Sequence, residues 1–175
     1  CEKIGIDMHK KSQDFGIDFR SIRFPGIISG TSIPSGGTSD YAPEMLHSAI
    51  QKQTYHCYVS SDRQLPFITM PDAIQAIFDI MKRNKTELKQ NVYNVTSFNP
   101  KVEDFYNKLV EFFPKFKLVY NIDNQRQKIV DSWPNDIDDS CARSDWQWSP
   151  KHDFDLAYHD YLIPNLQKKY NLFIQ

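Results

Sequence analysis

Glycine and cysteine are both scarce in this sequence, with six and three residues respectively among 175. No G-x-G-x-x-G or P-loop pattern occurs, so these residues contain no recognisable phosphate-binding turn. The cysteines, Cys1, Cys57 and Cys141, lie far apart without C-x-x-C spacing, which argues against a disulfide framework or a zinc site. The five histidines never take the H-E-x-x-H spacing. We therefore predict no metal site.

The sequence also lacks an excess of charge of one sign and any long apolar run. The formal net charge is -1 and the lysines and arginines are scattered, which disfavours binding to nucleic acid or to an anionic membrane. No apolar run approaches the ~20 residues of a membrane-spanning helix, and the first residues, CEKIGIDMHKK, are too charged for a secretory signal. We expect a soluble, non-secreted protein without membrane insertion. Because the chain starts with Cys1 in a helical pattern, we also expect missing sequence upstream.

Hydrophobic residues make up 40% of the chain, enough for a sizeable core. Segments rich in β-branched and aromatic residues predict strands at residues 17–24, 54–60, 92–97 and 116–122. Apolar residues at helical spacing predict helices at residues 3–14, from 40 onward, 72–83, 101–113 and 154–169. Pro164 is expected to bend or break the last helix. This alternation of strands and helices predicts an α/β fold.

Four of these helices have predicted details that a structure can test, and the helix from Asp40 is expected to bury Met45, Ala49 and Ile50. Gly16 is expected to follow the end of the first helix, which has Ile4, Met8 and Lys11 on one side. Asn99 and Pro100 are expected to cap and start the helix at 101–113. The helix at 72–83 is expected to bury four large apolar side chains, Ile74, Ile77, Phe78 and Met81.

A Pro-Gly turn follows the first predicted strand. It spans Phe24, Pro25, Gly26 and Ile27, at the carboxyl end of the strand, where open α/β sheets bind ligands. The alternative is that Gly26 serves only the dihedral angles of the turn.

A second loop, SGTSIPSGGTS, precedes a predicted helix. Its residues Gly37, Thr38 and Ser39 offer amides and hydroxyls that suit a carboxylate, because helix N-termini attract anions. The alternative is that Thr38 or Ser39 is only the N-cap of the helix.

The third notable segment is DSWPNDIDDSCAR, at residues 131–143, which is polar except for a Trp-Pro pair near its start. From composition alone it reads as a surface loop pinned by one buried indole.

Four blocks in order, GIDFRSIRFPGIIS, GGTSDYA, RQKIVDSWP and DDSCARSDWQW, resemble one family. They are similar to the C-terminal half of the L-threonine 3-dehydrogenases of the extended short-chain dehydrogenase/reductase type, relatives of UDP-galactose 4-epimerase. The resemblance implies NAD as cofactor and an N-terminal, glycine-rich Rossmann half that is absent here. Residues 1–175 would then form one partial domain, with the last elements of the NAD-binding core in 1–30 and mainly the substrate-binding part in 31–175.

The resemblance also implies site residues. Phe24, Pro25, Gly26 and Ile27 would contact the nicotinamide. Gly37, Thr38, Ser39 and Trp133 would bind the substrate, with the Trp133 indole as a wall of the pocket. Lys3 would be the lysine of a Tyr-x-x-x-Lys pair, stabilising a tyrosine phenolate as base; the alternative is a solvated helix lysine. Asp131 and Ser132 are expected to fix their loop without reacting.

The leading hypothesis is NAD-dependent oxidation of the 3-hydroxyl of L-threonine to 2-amino-3-ketobutyrate, with a homodimer or larger assembly as the state. One alternative is a catalytically inactive, dehydrogenase-like structural subunit, and another is a sugar-nucleotide epimerase. Residues 65–73 read LPFITMPDA where the family tends to read MPMMYMDDA, so that Thr69 and Pro71 replace an aromatic residue and an acid. This change is either neutral or a sign of relaxed selection on a protein that no longer turns over threonine. The family implies a mitochondrial protein in a eukaryote and a cytoplasmic one in a bacterium.

Overall fold

The computed structural model describes residues 1–11 and 17–171 of the chain. Within them, the numbered helices are α1 Glu2–Lys11, α2 Tyr41–Ile50, α3 Met70–Lys82, α4 Val102–Phe112, α5 Asn124–Asp131 and α6 Ser140–Trp146. The strands are β1 Ser21–Arg23, β2 Gly26–Ile28, β3 Tyr55–Cys57, β4 Phe67–Thr69, β5 Val92–Asn94 and β6 Leu118–Tyr120. A 3₁₀ turn, Lys85–Glu87, follows α3. None of the helices described is long and apolar enough to cross a bilayer.

A C-terminal helix ends the described part of the chain in three consecutive segments. Phe154–Leu156 is α-helical, Ala157–Leu162 is a π-helical turn, and Ile163–Lys169 is α-helical again. The expected break at Pro164 does not occur. Proline has no N–H to donate, and the widened π turn directly before it, closed by a bond from Ile163 N to Tyr158 O, lets the helix continue.

The strands pair in parallel, as the α/β prediction requires, so that prediction is confirmed. β1 pairs with β5, β2 with β4, and β3 with β6, with Ser21 opposite Val92, Gly26 opposite Phe67 and Tyr55 opposite Leu118. Parallel neighbours need a crossover connection, and here α2 and α3 supply helical connections between strands. The pairing of β1 with β5 brings residues 92–94 beside the N-terminal elements. The division of the chain at residue 30 stays a prediction.

The strand predictions found four of the six strands but missed the two that build the site. The predicted strand at 17–24 is confined to β1, and the Pro-Gly turn leads directly into a second strand, β2, which was not predicted. Its partner β4, at the end of the LPFIT segment, was not predicted either. β2 starts at Gly26, within the Pro-Gly turn, and β4 runs directly into α3 at Met70, so neither is separated from the turn or helix beside it.

A larger hydrophobic cluster occupies the centre of the fold and joins α2, α4 and the C-terminal helix. Phe67 and Phe105 are nearly perpendicular, with ring centroids 5.2 Å apart, and Tyr41 packs edge-on against both rings at 6.1 Å. Such edge-to-face packing adds stability beyond burial of apolar area. The predicted inner face of α2, with Met45, Ala49 and Ile50, is buried in this cluster and confirmed.

A smaller cluster covers one face of the β1–β5 pair. Tyr93 of β5 packs edge-on against Trp146 of α6, and Trp148 and the apolar residues of α3 complete the cluster. On the opposite face, Arg23 forms an ion pair with Glu2 at 2.5 Å, which places the start of α1 there. Strand side chains alternate between the faces of a sheet, so α1 and α3 lie on opposite sides of β1–β5.

The predicted buried face of α3 is wrong. Ile74, Ile77, Phe78 and Met81 are all exposed, whereas the helix buries Ala73, Ala76 and Ile80. The small alanines let the helix approach the strands closely, and this leaves the larger side chains of the broad apolar stripe outside. Pro71 does lie in the first turn, as predicted.

Two further predictions concern helix ends. The N-cap of α4 is Lys101, whose N–H donates to Asp104 at 2.8 Å, so the predicted cap at Asn99 and first-turn Pro100 are wrong by two residues. Gly16, predicted to follow the end of α1, lies outside the described residues, as does the Lys11 side chain. Ile4 and Met8 of the same helix are exposed.

Candidate functional site

A cavity of about 310 Å³ lies between the Pro-Gly turn and the loop that follows α5. It brings together five of the predicted site residues with four others; the lining residues are Phe24, Pro25, Gly26, Ser39, Leu65, Pro66, Trp133, Pro134 and Ile137. Among the described residues that line it, none carries a side chain that titrates near neutral pH. These walls therefore supply an apolar shape and one hydroxyl, that of Ser39.

The β2–β4 pair positions the first wall of this cavity. Gly26 N donates to Pro66 O at 3.1 Å, which holds the turn against the segment that carries Leu65 and Pro66. A Cβ on Gly26 would lie 2.7 Å from Cε1 of Phe67. Gly26 is not among the described glycines with positive φ, so the position excludes larger residues because the Phe67 ring abuts it, and the turn-dihedral interpretation is wrong.

Ile27 does not line the same cavity as Phe24, Pro25 and Gly26. It lines a smaller space of about 160 Å³ together with Asp40 and Met70. Successive residues of a strand point to opposite faces, so Gly26 and Ile27 of β2 face different spaces. A contact between Ile27 and a nicotinamide stays a prediction.

The amides of the glycine-rich loop are bonded to a carboxylate of the chain itself. Ser35 N, Gly36 N and Gly37 N donate to one Asp40 oxygen, Oδ2, at 3.0, 3.0 and 2.7 Å. Gly36 makes this possible with φ 89, a conformation that favours glycine. Of the three residues predicted to bind a carboxylate, only Gly37 donates to Asp40, so binding of a substrate carboxylate by Gly37, Thr38 and Ser39 stays a prediction.

Thr38 and Ser39 were also considered as the N-cap of the helix that follows them. The N-cap of α2 is Asp40, so neither residue caps the helix. Tyr58 donates its hydroxyl to Gly37 O at 3.1 Å and to Thr38 O at 3.4 Å, and burial raises the pKa of this phenol, which keeps it a donor. Thr38 does not line the main cavity, whereas Ser39 does.

Trp133 forms the second wall, together with Pro134 and Ile137. Its side chain is 39% exposed, so it is not the buried indole of the surface-loop interpretation. The loop is held by the end of α5, where Trp133 N donates to Val130 O at 3.1 Å and Ser132 Oγ donates to Ile129 O at 2.6 Å. Ser132 therefore fixes the loop, as expected.

Lys3 lies in the first turn of α1 and is exposed. It is not among the described residues that line the cavity. Its role as the lysine of a catalytic pair stays a prediction.

Sequence reasoning missed a buried polar cluster made by Thr69, Asp72 and His152. Asp72 Oδ2 accepts from the Thr69 hydroxyl at 3.0 Å and from the backbone N of His152 at 3.1 Å, and His152 Nδ1 lies 3.0 Å from the same oxygen. Thr69 is the N-cap of α3. The spacing Thr69-x-x-Asp72 is the capping-box pattern and was readable from the sequence. Its contact with His152, 80 residues further along the chain, could not be recognised from the sequence.

No protein-family model matches the chain. The chain is 39% identical over 142 residues to the mitochondrial L-threonine 3-dehydrogenase of Bos taurus. This match covers 81% of this chain and 38% of the relative. An uncharacterised epimerase/dehydratase of Staphylococcus saprophyticus is 40% identical over 142 residues, and this match covers 81% of this chain and 44% of the relative. The chain thus spans less than half the length of these curated relatives.

Solved structures agree with this match. The apo form of the GalE-like L-threonine dehydrogenase of Cupriavidus necator superposes with a TM-score of 0.86 at 34% identity, over 93% of this chain and 58% of that one. The L-threonine dehydrogenase of Clostridium difficile superposes with a TM-score of 0.88 at 34% identity, over 96% of this chain and 52% of that one. A UDP-glucose 4-epimerase of Thermotoga maritima, at 12% identity and a TM-score of 0.73, shares the fold. The chain is therefore a homologue of the GalE-like L-threonine 3-dehydrogenases and the epimerase/dehydratases and has their fold, and its coverage of about half of those chains is consistent with the C-terminal half that the four sequence blocks resemble.

Proposed function

We propose that this chain forms the substrate pocket of an NAD-dependent L-threonine 3-dehydrogenase, which oxidises the 3-hydroxyl of L-threonine to 2-amino-3-ketobutyrate. The observation that carries the proposal is the shared cavity. Phe24, Pro25 and Gly26, predicted for the cofactor, lie in one wall, and Ser39 and Trp133, predicted for the substrate, complete it. A dehydrogenase must hold two reacting molecules in contact, and a cavity lined by both groups of residues meets that need.

The first wall fits one end of NAD. The Phe24 ring, Pro25 and the backbone of Gly26 offer an apolar surface of the kind that a flat nicotinamide ring needs, and NAD when bound would accept the hydride. Phosphates need a glycine-rich turn or cations, and the 175 residues contain no such turn. We infer that polypeptide outside these residues binds the rest of the dinucleotide.

The second wall fits a small amino acid with a hydroxyl group. Trp133 of this wall, with Leu65 and Pro66 across the cavity, excludes water and offers contact to a methyl group, and Ser39 offers a hydroxyl for the polar atoms of L-threonine. Because the lining residues include no base, the proton of the 3-hydroxyl must pass to a tyrosine elsewhere in the protein. Lys3 is our candidate for the cation that stabilises that phenolate.

A second candidate function, a structural subunit without activity, is favoured by Asp40. The carboxylate of Asp40 accepts from three amides that would otherwise be available to the carboxylate of the substrate. An enzyme of the proposed type has to bind that carboxylate with other groups or displace Asp40. The epimerase alternative is supported by the similarity to the staphylococcal epimerase/dehydratase.

The test is NADH formation from L-threonine and NAD by the complete protein that carries this sequence. We expect turnover, and we expect Trp133→Ala to raise the KM for L-threonine about tenfold or more, because the wall is lost. The matched control is Trp148→Phe, which changes an indole of the smaller cluster away from the cavity. A folded protein that binds NAD and never turns over L-threonine would establish the structural role.

The family implies further proposals about the complete protein. We propose a homodimer or larger assembly as its state. We also propose a mitochondrial location if the source is a eukaryote, as the names of the bovine and pig relatives state for those proteins, and a cytoplasmic one if it is a bacterium.

A further inference from the structure

One arginine side chain reaches across to the loop that carries Trp133. Arg63 Nη2 donates to Val130 O at 2.7 Å and to Trp133 O at 2.6 Å, and Nη1 donates to Asn135 Oδ1. Its Nε lies 3.8 Å from Asp131 Oδ1, and its side chain is only 11% exposed. A single planar group therefore joins the end of α5 to both sides of the Trp-Pro pair.

The backbone of Arg63 is fixed to the rest of the fold. Arg63 N donates to Ser60 O at 3.2 Å, and its carbonyl accepts from Val102 N at 3.0 Å, at the start of α4. Two and three residues later, Leu65 and Pro66 line the cavity opposite Trp133. The same short segment thus supplies one wall and the side chain that holds the other.

We propose that Arg63 is a positioning residue that fixes Trp133 at a set distance from Leu65 and Pro66, and so sets the largest substrate side chain that the cavity accepts. This inference rests on the proposed function for its substrate. The guanidinium is suited to the task because its donors are spread in a fixed plane, whereas a lysine offers donors around one point. Burial makes the bonds to backbone carbonyls persistent.

Quenching of tryptophan fluorescence by acrylamide tests the geometric claim without any substrate. Trp133 is 39% exposed, whereas Trp146 and Trp148 are 1% and 3% exposed, so Trp133 accounts for most of the accessible signal. We expect Arg63→Gln and Arg63→Lys to raise the quenching constant about twofold, as the loop opens locally. Trp133→Phe should remove most of the accessible signal and so identify its source.

Two further variants make the quenching result specific. Arg143→Gln removes an arginine of α6 that pairs with Asp139, the N-cap of that helix, and contacts neither Trp133 nor the cavity, so it should leave the quenching constant unchanged. Asn135→Ala removes one exposed partner of Arg63 and should give a smaller rise. Asn135→Ala also answers the question if Arg63→Gln fails to fold, because it leaves the core intact.

Kinetics of the complete protein test the consequence for the substrate. We expect Arg63→Lys to raise the KM for L-threonine about tenfold with kcat within about threefold, because positioning of the substrate is lost while the chemistry is not. The preference for L-threonine over 2-amino-3-hydroxypentanoate, which is longer by one methylene, should fall about tenfold. A merely structural role would instead lower the amount of active enzyme and leave both KM and this preference unchanged.

The two proposals can fail separately. If the wild-type protein does not oxidise L-threonine, the proposed function fails, and the quenching constants still decide whether Arg63 holds Trp133. If Arg63→Lys matches the wild type in both quenching and substrate preference, the planar guanidinium is not what positions the wall and the inference is overturned.

Discussion

The two hydrophobic clusters of this fold are both buried, and they differ in the outer surface of the helices that cover them. The larger cluster, between α2, α4 and the C-terminal helix, has Tyr41, Phe67 and Phe105 almost completely buried. The smaller cluster, around β1–β5 and α3, buries small and aromatic residues on the inside of α3 but leaves Phe78 52% and Met81 65% exposed. The larger cluster is therefore called the closed cluster. The exposed apolar side of α3, outside the smaller cluster, is called the open face.

This difference matters for function because the cavity is built where the two clusters meet. Phe67 belongs to the larger cluster and Ile68, the next residue, to the smaller one. Gly26 pairs with Phe67 and lines the cavity, so the wall predicted for the cofactor is supported by the closed cluster. The open face, with Phe78 and Met81, lies on the outer side of α3, and neither residue is among those that line the cavity.

The largest expected effect follows from Phe105→Ala in the larger cluster. Phe105 is fully buried and packs edge-on against Tyr41, Phe67 and Phe154. We expect the free energy of unfolding to fall by about 3–5 kcal/mol, because the change removes apolar contacts and leaves a cavity. Urea denaturation followed by circular dichroism measures it. A loss below about 1 kcal/mol would show that this cluster is not closed.

A smaller loss of stability is expected when the hydrogen bonds between Asp72 of α3 and the segment that precedes the C-terminal helix are weakened. Asp72→Asn replaces an acceptor of two backbone N–H groups, those of Lys151 and His152, by an amide that has only one acceptor oxygen. We expect a loss of about 2 kcal/mol, because a buried donor is left without a partner. Asp79→Asn on the exposed side of α3 is the matched control and should shift the urea midpoint little. Equal effects of the two variants would contradict a connecting role.

The sequence predicted the closed cluster well because its pattern is local. Apolar spacing in α2 identified Met45, Ala49 and Ile50, and these are buried. The same spacing failed in α3, since it cannot tell which side of a broad apolar stripe faces the sheet. There the alanines face inward and Phe78 outward, and that choice depends on how close the strands lie.

The candidate site was predicted in its parts and not in its connections. The loops that carry Gly26, Ser39 and Trp133 are recognisable from glycine, proline and tryptophan, and the cavity brings these three residues together. Arg63 could not be assigned, because its acceptors Val130, Trp133 and Asn135 come within reach only in the folded chain. Long-range polar contacts leave no periodic signal in a sequence.

The pH dependence of stability offers a third test, at the edge of the closed cluster. His47 of α2 lies within hydrogen-bonding distance of Tyr170 Oη, at 2.7 Å, and of Ser32 O, at 3.0 Å. Burial lowers the pKa of this imidazole below its usual 6.5, so the folded state disfavours the protonated form. The contribution of neutral His47 is complete above pH 6.5 and falls as the pH drops towards the lowered pKa. His47→Gln should flatten the stability curve in that window; an unchanged slope would contradict the assignment.

The smallest expected effect on stability belongs to the open face. Phe78→Gln and Met81→Gln together keep helix-forming residues on α3 and remove exposed apolar side chains, so the free energy of unfolding should change by no more than about 0.5 kcal/mol. Light scattering should show self-association of the unchanged 175-residue chain and less of it in the double variant, since exposed apolar patches promote association. Ile80→Gln, at a buried position of the same helix, should instead destabilise the fold strongly. If the unchanged chain is already a monomer by light scattering, its open face does not drive association. The comparison then rests on the free energies of unfolding of the double variant and of Ile80→Gln.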